Sequence, residues 1–194
     1  MANLFGTETP VQQNLADGQP YTLGTRFAAS VAGQVTGIRW WLPTGAQAGG
    51  SQLRFLLYNA AQAIVADRSF ASPVTGLGAW AEFLFTTPVT LAVGQQYTAA
   101  VFTPNRYVRT DNYVWPKTVG GLTTPAPAGY YDPSGSLAFP AQTFSNVNFF
   151  VDPIFEPSPT SAPAVRVWNG SAEVNATVTV WTGSAEVAAT LAIN

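Results

Sequence analysis

The sequence predicts an all-β protein: an immunoglobulin-like or jelly-roll-type antiparallel β-sandwich, followed by a short C-terminal segment of β-hairpin repeats. Three observations lead to this prediction. Short segments that alternate apolar and polar residues recur with Gly, Pro or Asn between them about every ten residues, which is typical of a sandwich. Helical periodicity is nearly absent. The pattern that begins at Val165 begins again at Val178, 13 residues later (178 − 165).

The alternating segments give the predicted strands in chain order. Residues 58–67 contain several alanines, as a helix would, but the flanks at 53–57 and 68–70 are strand-like. We therefore place a hairpin turn at residues 59–62. The other predicted strands lie at residues 24–30, 35–42, 81–85, 89–91, 96–102 and 148–155.

Three tryptophans fall within or directly beside these strands. Trp40 and Trp80 alternate with polar neighbours, so we predict that both lie in the core. Because successive strand residues face opposite sides of a sheet, Trp41 faces away from Trp40. On that side we expect Trp41 to lie at an interface.

The composition excludes several classes of protein. Charged residues make up only 9 % of the chain, but its apolar runs are too short for a membrane span. A content of 47 % hydrophobic and 13 % aromatic residues excludes disorder, and a net charge of −2 argues against nucleic-acid binding. Without cysteine or histidine there are no disulfides, thiolate zinc sites or histidine-based catalytic triads. We predict no cofactor.

Residues 104–140 interrupt the strand pattern. The region holds six prolines and four glycines, and a loop of this length is usually functional or packed against a partner. We expect its aromatic residues to lie outside the sandwich core, contacting a sugar ring or a neighbouring subunit. The alternative is that they pack onto the sandwich. The candidate contact residues are Tyr107, Arg109, Tyr113, Trp115, Tyr130 and Tyr131.

Three carboxylates lie in or beside this region, Asp111, Asp132 and Asp152, and structural roles are favoured for the last two. Asp132 fits the first position of a proline-containing turn. Asp152 precedes Pro153 near a strand end, where a carboxylate often accepts backbone N–H bonds. Asp111 has no motif around it. Calcium loops need closely spaced acidic oxygens, which the sequence lacks, so we predict neither a metal site nor an enzyme.

Residues 4–156 resemble a bacterial module family known only as a domain of unknown function. The resemblance is carried, in order, by residues 21–41, 52–58, 78–97, 139–140 and 150–155. It implies an immunoglobulin-like sandwich of the kind appended to secreted surface proteins, often beside carbohydrate-active or adhesive domains, and it transfers no catalytic residues. The sequence departs from the family at Pro153, which indicates an edge strand or a bulge.

The C-terminal part is predicted to be a separate segment. We expect a sandwich over residues 1–156, a Pro/Ser linker over 157–163 and hairpin repeats over 164–194. Asn169-Gly170 favours a two-residue turn, and Thr182-Gly183 repeats it. The predicted ribbon has valines on one face and tryptophans on the other, and a ribbon this small is marginal alone. Its candidate contacts with other chains are Val165, Val167, Trp168, Val178, Val180 and Trp181.

These repeats are similar to short repeats near the ends of virion proteins of phages that infect actinobacteria. The N-terminus has neither the basic nor the apolar region of a secretory signal, so we expect synthesis in the host cytoplasm and a location on the virion surface. The predicted function is a non-enzymatic head decoration, fibre or minor tail protein. Its expected partners are other virion proteins, further copies of itself and a host-surface glycan. The alternative is a carbohydrate-binding adhesion module.

Overall fold

The computed structural model describes residues 1–47, 51–73, 75–159, 167–168, 173–174, 176–181 and 186–191. Every regular element in these residues is a β-strand, which confirms the predicted all-β class. The chain divides into two units, Met1–Ser158 and Pro159–Asn194.

The first unit contributes twelve strands in its described residues. They are β1 (Gln12–Ala16), β2 (Tyr21–Ala29), β3 (Gly33–Trp41), β4 (Gln52–Tyr58), β5 (Ile64–Ala71), β6 (Trp80–Leu91), β7 (Gln96–Thr103), β8 (Arg106–Arg109), β9 (Thr118–Val119), β10 (Leu122–Thr123), β11 (Gly129–Asp132) and β12 (Val151–Pro157).

These strands form two main antiparallel sheets and one small ribbon. The larger sheet has the order β5-β4-β7-β2-β10-β9, and β11 also pairs with β2. The second sheet has the order β12-β3-β6, and β1 pairs with β8. Aromatic contacts join the two main sheets: Phe55 of β4 stacks on Phe83 of β6 at 3.8 Å between ring centroids and meets Trp40 of β3 edge-on at 6.4 Å. The core therefore lies between the sheets, as in a sandwich.

The three tryptophans have different surroundings. Trp40 is fully buried in the main core, as predicted. Trp80 is half-buried and packs against that core. Trp41 lies in a separate cluster with Val108 and Phe150 and is only 8 % exposed. Its own chain therefore covers it, and the expectation of an interface position is wrong.

The hairpin predicted at residues 59–62 is confirmed. It joins β4 to β5, and Gln62 adopts a φ of 61°. The side-chain Oδ1 of Asn59 accepts hydrogen bonds from the backbone N–H groups of Ala61 and Ala63, each at 3.0 Å. This Asx-type bonding closes the turn and explains why the alanines do not form a helix.

The expectation of a long excursion without strands over residues 104–140 is wrong, because four short strands, β8 to β11, lie within it. Gly120 and Gly121, with φ values of 56° and 87°, form the two-residue turn that joins β9 to β10. A Gly-Gly pair is a hairpin signal. The sequence pattern does not show this hairpin, because each flanking strand has only two residues.

Pro153 lies on an edge strand, as expected from its missing N–H group. Its strand β12 pairs with β3 on one side, and the register shifts between Ile154 and Phe155. On the other side Ala2 bridges Phe155, with backbone N···O distances of 2.6 and 2.9 Å. The N-terminal residues thus cover part of this edge.

Asp152 accepts backbone N–H bonds, as predicted, and it does so inside the protein. The carboxylate is fully buried and accepts from the N–H groups of Leu4 at 2.8 Å and Phe5 at 3.0 Å. The guanidinium of Arg39 donates to its Oδ2 through Nε at 3.0 Å and a terminal nitrogen at 2.7 Å. Burial raises the pKa of Asp152, and the Arg39 charge and the two N–H groups oppose this shift.

The second unit contains four described strands: β13 (Val167–Trp168), β14 (Glu173–Val174), β15 (Ala176–Trp181) and β16 (Glu186–Leu191). They pair as two antiparallel hairpins, β13 with β14 and β15 with β16. Trp168 pairs with Glu173, and the same pairing recurs 13 residues later between Trp181 and Glu186 (181 − 168 and 186 − 173). The two-residue turns predicted at Asn169-Gly170 and Thr182-Gly183 fall on residues 169–172 and 182–185, which lie outside the described residues.

We predict that Asp152→Ala lowers the free energy of unfolding by about 3–5 kcal/mol, because it leaves the Arg39 charge buried without its partner. Urea unfolding followed by tryptophan fluorescence measures the loss. Asp67→Ala is the matched control, because it breaks the exposed ion pair with Arg54 and is expected to cost at most about 1 kcal/mol. Equal losses in the two variants would contradict the structural role of Asp152.

Candidate functional site

A cavity of about 280 Å³ lies beside the start of β2, the ribbon formed by β1 and β8, and strand β11. Its lining is mostly aromatic, with one acidic and one basic side chain. The lining residues are Asp17, Tyr21, Leu23, Tyr107, Arg109, Tyr131, Phe144 and Phe149.

The strand registers bring these residues together. Leu15, near the end of β1, pairs with Tyr107 of β8, which places Asp17 beside that ring. Tyr131 of β11 pairs with Leu23 of β2, and the backbone of Tyr131 also bonds in both directions to Gln142. Three separate pairings therefore position the lining.

Gly129 permits a close backbone approach beside the cavity. A Cβ atom at this position would lie 1.8 Å from the carbonyl oxygen of Val147. No side chain fits there, so only glycine lets β11 lie against the segment that carries Phe144 and Phe149.

The polar side of the cavity is organised around Asp17. Its Oδ2 accepts hydrogen bonds from the hydroxyls of Tyr21 at 3.0 Å and Tyr107 at 2.6 Å. Gln19 donates to the Tyr21 hydroxyl at 2.7 Å. Among the described residues, no hydrogen bond reaches Oδ1 of Asp17. The carboxylate is thus held in place while one of its oxygens stays available.

The apolar side consists of three rings inclined to one another. Tyr131 lies 5.4 Å from Phe144 and 6.2 Å from Phe149, with interplanar angles of 88° and 55°. Phe144 and Phe149 lie 6.3 Å apart at 63°. Such edge-to-face contacts are favourable and fix the ring orientations.

Arg109 brings a positive charge to the lining. Its Nε lies 3.2 Å from Oδ1 of Asp111, whose other oxygen accepts from Gln12 at 3.1 Å. The guanidinium also lies 5.2 Å from the ring centre of Phe144. These contacts hold Arg109 at the cavity wall and give Asp111 a structural role.

Three of the six candidate contact residues, Tyr107, Arg109 and Tyr131, meet in this cavity. The expectation that Tyr107 lies outside the core is wrong, because its side chain is only 5 % exposed and belongs to the main core cluster. The pairing of β8 with β1 turns the ring inward, towards Phe149 at 6.3 Å. Tyr131 is half-buried and packs against the same core.

Tyr113 and Trp115 lie in a second aromatic cluster, with ring centroids 4.7 Å apart. Both rings pack on Phe5, at 6.0 and 5.9 Å. The carboxylate of Glu8 accepts hydrogen bonds from the Tyr113 hydroxyl and from the Lys117 ammonium. These two aromatic residues therefore pack onto the sandwich, which is the alternative given above to a position outside the core.

Tyr130 has a different neighbour. The guanidinium of Arg26 lies 3.5 Å from the centre of the Tyr130 ring and 5.5 Å from that of Phe139. This cation–π contact occupies the Tyr130 ring, which does not line the cavity.

Asp132 accepts a hydrogen bond from the backbone N–H of Ser134 at 3.1 Å, which confirms its role in a turn. Within the described ranges, no group of three acidic, histidine or cysteine residues is placed to bind a metal ion. The same part of the chain contains no helix that is long and apolar enough to cross a membrane.

The sequence pattern does not indicate four of the residues that line the cavity: Asp17, Tyr21, Phe144 and Phe149. Asp17-Gly18 is a turn signal, and it marks the connection from β1 to β2. No local pattern links Asp17 to Tyr107, which is 90 positions away in sequence. Only the three-dimensional pairing of β1 with β8 shows the contact.

The family model described as domain of unknown function (DUF4082) matches residues 7–151. The chain belongs to this family. All residues that line the cavity fall within the matched DUF4082 region, whereas the first six residues and the C-terminal unit lie outside it. A search of the curated proteins found no match.

We predict that several tyrosines of this DUF4082 protein ionise at a higher pH than a tyrosine in an unfolded chain. Burial raises the pKa of Tyr58 to about 12. Burial also raises the pKa of Tyr107, and the hydrogen-bonded Asp17 carboxylate raises it further. The pKa of Tyr113 is raised in the same way by burial and by the Glu8 carboxylate. Raised values favour the neutral phenols in the folded state. Their contribution to stability is therefore complete below the unfolded-state pKa of about 10 and is lost as the pH rises through the folded values.

Ultraviolet absorbance of phenolate measures this prediction. The native protein should retain un-ionised tyrosines at a pH where the unfolded chain has none, and the free energy of unfolding should fall above pH of about 10. Asp17→Asn should lower the pKa of Tyr107, and Glu82→Gln, a change at an exposed carboxylate of β6, should leave the titration unchanged. Simultaneous ionisation of all tyrosines near their ordinary pKa would contradict the buried hydrogen bonds.

Proposed function

We propose that this chain is a structural, non-enzymatic protein on the surface of a phage particle, either a head decoration or fibre protein or a minor tail protein. The observation that carries the proposal is the C-terminal unit, in which one hairpin register occurs twice, 13 residues apart (181 − 168). The sequence of these repeats is similar to short repeats near the ends of virion proteins.

The size of the hairpins supports a role in assembly. The strands of the first described hairpin have two residues each, and those of the second have six. A two-stranded hairpin is marginally stable in water. Pairing with further copies of this chain, or with other virion proteins, removes that limitation. The many copies on a particle raise the local concentration that drives such pairing.

A non-enzymatic role agrees with how the carboxylates are used. Asp152 is buried in an ion pair, Asp111 pairs with Arg109, and Asp132 closes a turn. The chain has no histidine or cysteine to act as a base or thiol nucleophile. A net charge of −2 supports protein or glycan partners rather than nucleic acid.

The second candidate function is a carbohydrate-binding adhesion module. The cavity favours it, because aromatic walls beside a fixed carboxylate and a guanidinium combine an apolar surface with directional polar groups. The two candidates are compatible, since a protein on a particle surface can also contact host glycans.

We predict that replacing Val165, Val167, Val178 and Val180 by threonine abolishes self-association of the full chain. Threonine preserves the shape and the strand preference of valine but replaces one methyl group by a hydroxyl. Sedimentation velocity over a concentration series should show association of the wild-type chain and a monomeric variant. Thermal unfolding of the sandwich should be unchanged.

The matched control replaces four exposed valines of the sandwich, Val11, Val93, Val114 and Val119, by threonine and should leave association intact.

Electron microscopy of particles made without this gene should show loss of a surface feature, and restoring the gene without residues 159–194 should not recover it. Normal occupancy of the particle by the shortened chain would contradict the assembly role. Particles that lack the protein altogether would contradict the virion proposal.

A further inference from the structure

The cavity has an exposed rim and a buried floor. Asp17 is exposed, whereas Tyr107, Leu23 and Phe149 are 5 %, 1 % and 2 % exposed. A ligand that enters past the Asp17 carboxylate therefore reaches apolar surface within the same cavity. The site combines a polar entrance with an aromatic interior.

The charges of the lining disfavour both cations and anions. A cation in the cavity meets the positive charge of Arg109, whose guanidinium already lies 5.2 Å from the Phe144 ring centre. An anion meets the negative charge of Asp17. The Arg109 charge is paired with Asp111, and the Asp17 carboxylate is hydrogen-bonded to two phenols, so both groups stay in place as directional partners. These features favour a neutral ligand with several hydroxyl groups.

The volume limits the ligand to one ring. Cavities for drug-sized ligands usually have about 300–1,000 Å³, and this cavity has about 280 Å³. A pyranose has an apolar C–H face that packs on an aromatic ring, and its hydroxyls both donate and accept hydrogen bonds. The inclined rings of Tyr131, Phe144 and Phe149 offer such faces.

We infer that this cavity binds the terminal neutral pyranose of a glycan, with the sugar packed on the Tyr131 and Phe144 rings and a hydroxyl donating to the Asp17 carboxylate. The inference rests on the second candidate function above and names its site. Arg109 donates to a further sugar oxygen. Tyr21 and Tyr107 are positioning residues, because their hydroxyls hold Oδ2 of Asp17 and leave Oδ1 for the ligand.

The test is isothermal titration of the full chain with methyl glycosides of glucose, galactose, mannose, rhamnose and N-acetylglucosamine. We expect at least one of them to bind with one-to-one stoichiometry. Asp17→Asn should weaken binding by at least about tenfold, because a hydrogen bond to a charged acceptor is lost. The Asp17 side chain is exposed, so the variant is expected to fold.

Three further variants separate the role of the aromatic wall from that of the tyrosine hydroxyls. Tyr131→Phe retains the ring and should bind as the wild type does, whereas Tyr131→Ala should lose binding. Tyr107→Phe retains the buried ring but removes one hydrogen bond to Asp17, and we expect weaker binding with the same stoichiometry. Asp67→Asn is the control for a change of net charge away from the cavity. Equal affinity in Asp17→Asn and Asp67→Asn would overturn the inference.

Charged ligands and whole cells test the choice of a neutral sugar and the adhesion function separately. Tighter binding of tetramethylammonium or methyl glucuronide than of every neutral glycoside would overturn the choice of a neutral sugar. Retention on host cells that is unchanged by Asp17→Asn would overturn this site and leave the adhesion candidate standing. Absence of binding both to the glycosides and to cell-wall polysaccharide would overturn the site and the adhesion candidate together.

Discussion

The carboxylate of Asp152 connects three parts of the chain that are far apart in sequence. It lies on β12, pairs with Arg39 of β3, and accepts the backbone N–H groups of Leu4 and Phe5. Arg39 also donates to Asn3 at 2.7 Å. A buried ion pair adds little stability relative to apolar residues, but its hydrogen bonds are directional. The pair therefore specifies where the N-terminal segment docks, and other packing follows from that position.

The consequences of this docking extend towards the cavity. Phe5 is 1 % exposed and packs on Tyr113, Trp115 and Phe150, so the position of the N-terminal segment determines how residues 113–115 cover the sandwich. Phe150 has a φ of 55°, and its N–H donates to Oδ1 of Asn148 at 2.8 Å. Its neighbour Phe149 lines the cavity. One short segment that ends at Asp152 thus belongs to the N-terminal cluster and to the cavity wall.

The features that the sequence predicts correctly have local causes. The hairpin at residues 59–62 depends on an asparagine that bonds its own turn, and the role of Asp132 follows from the turn-forming proline beside it. For Asp152 the sequence predicts only that the carboxylate accepts backbone N–H bonds near a strand end, because its donors, Leu4 and Phe5, lie 148 and 147 positions away. Trp40 is predicted from alternation alone. The cavity was not predictable in this way, because Asp17 and Tyr107 meet only through the pairing of β1 with β8. The strands of residues 104–140 have two to four residues, too few to show a period.

Hydrogen exchange of the Leu4 and Phe5 amides tests most directly whether the Asp152 contacts govern the fold. Chain termini usually exchange through local fraying at free energies near zero, whereas core strands exchange only with global unfolding. If the buried carboxylate holds the N-terminal segment, these two amides exchange with the same free energy as the central residues of β3 and β4, and Asp152→Asn lowers their protection. Rapid exchange of both amides in the wild-type protein would contradict this account.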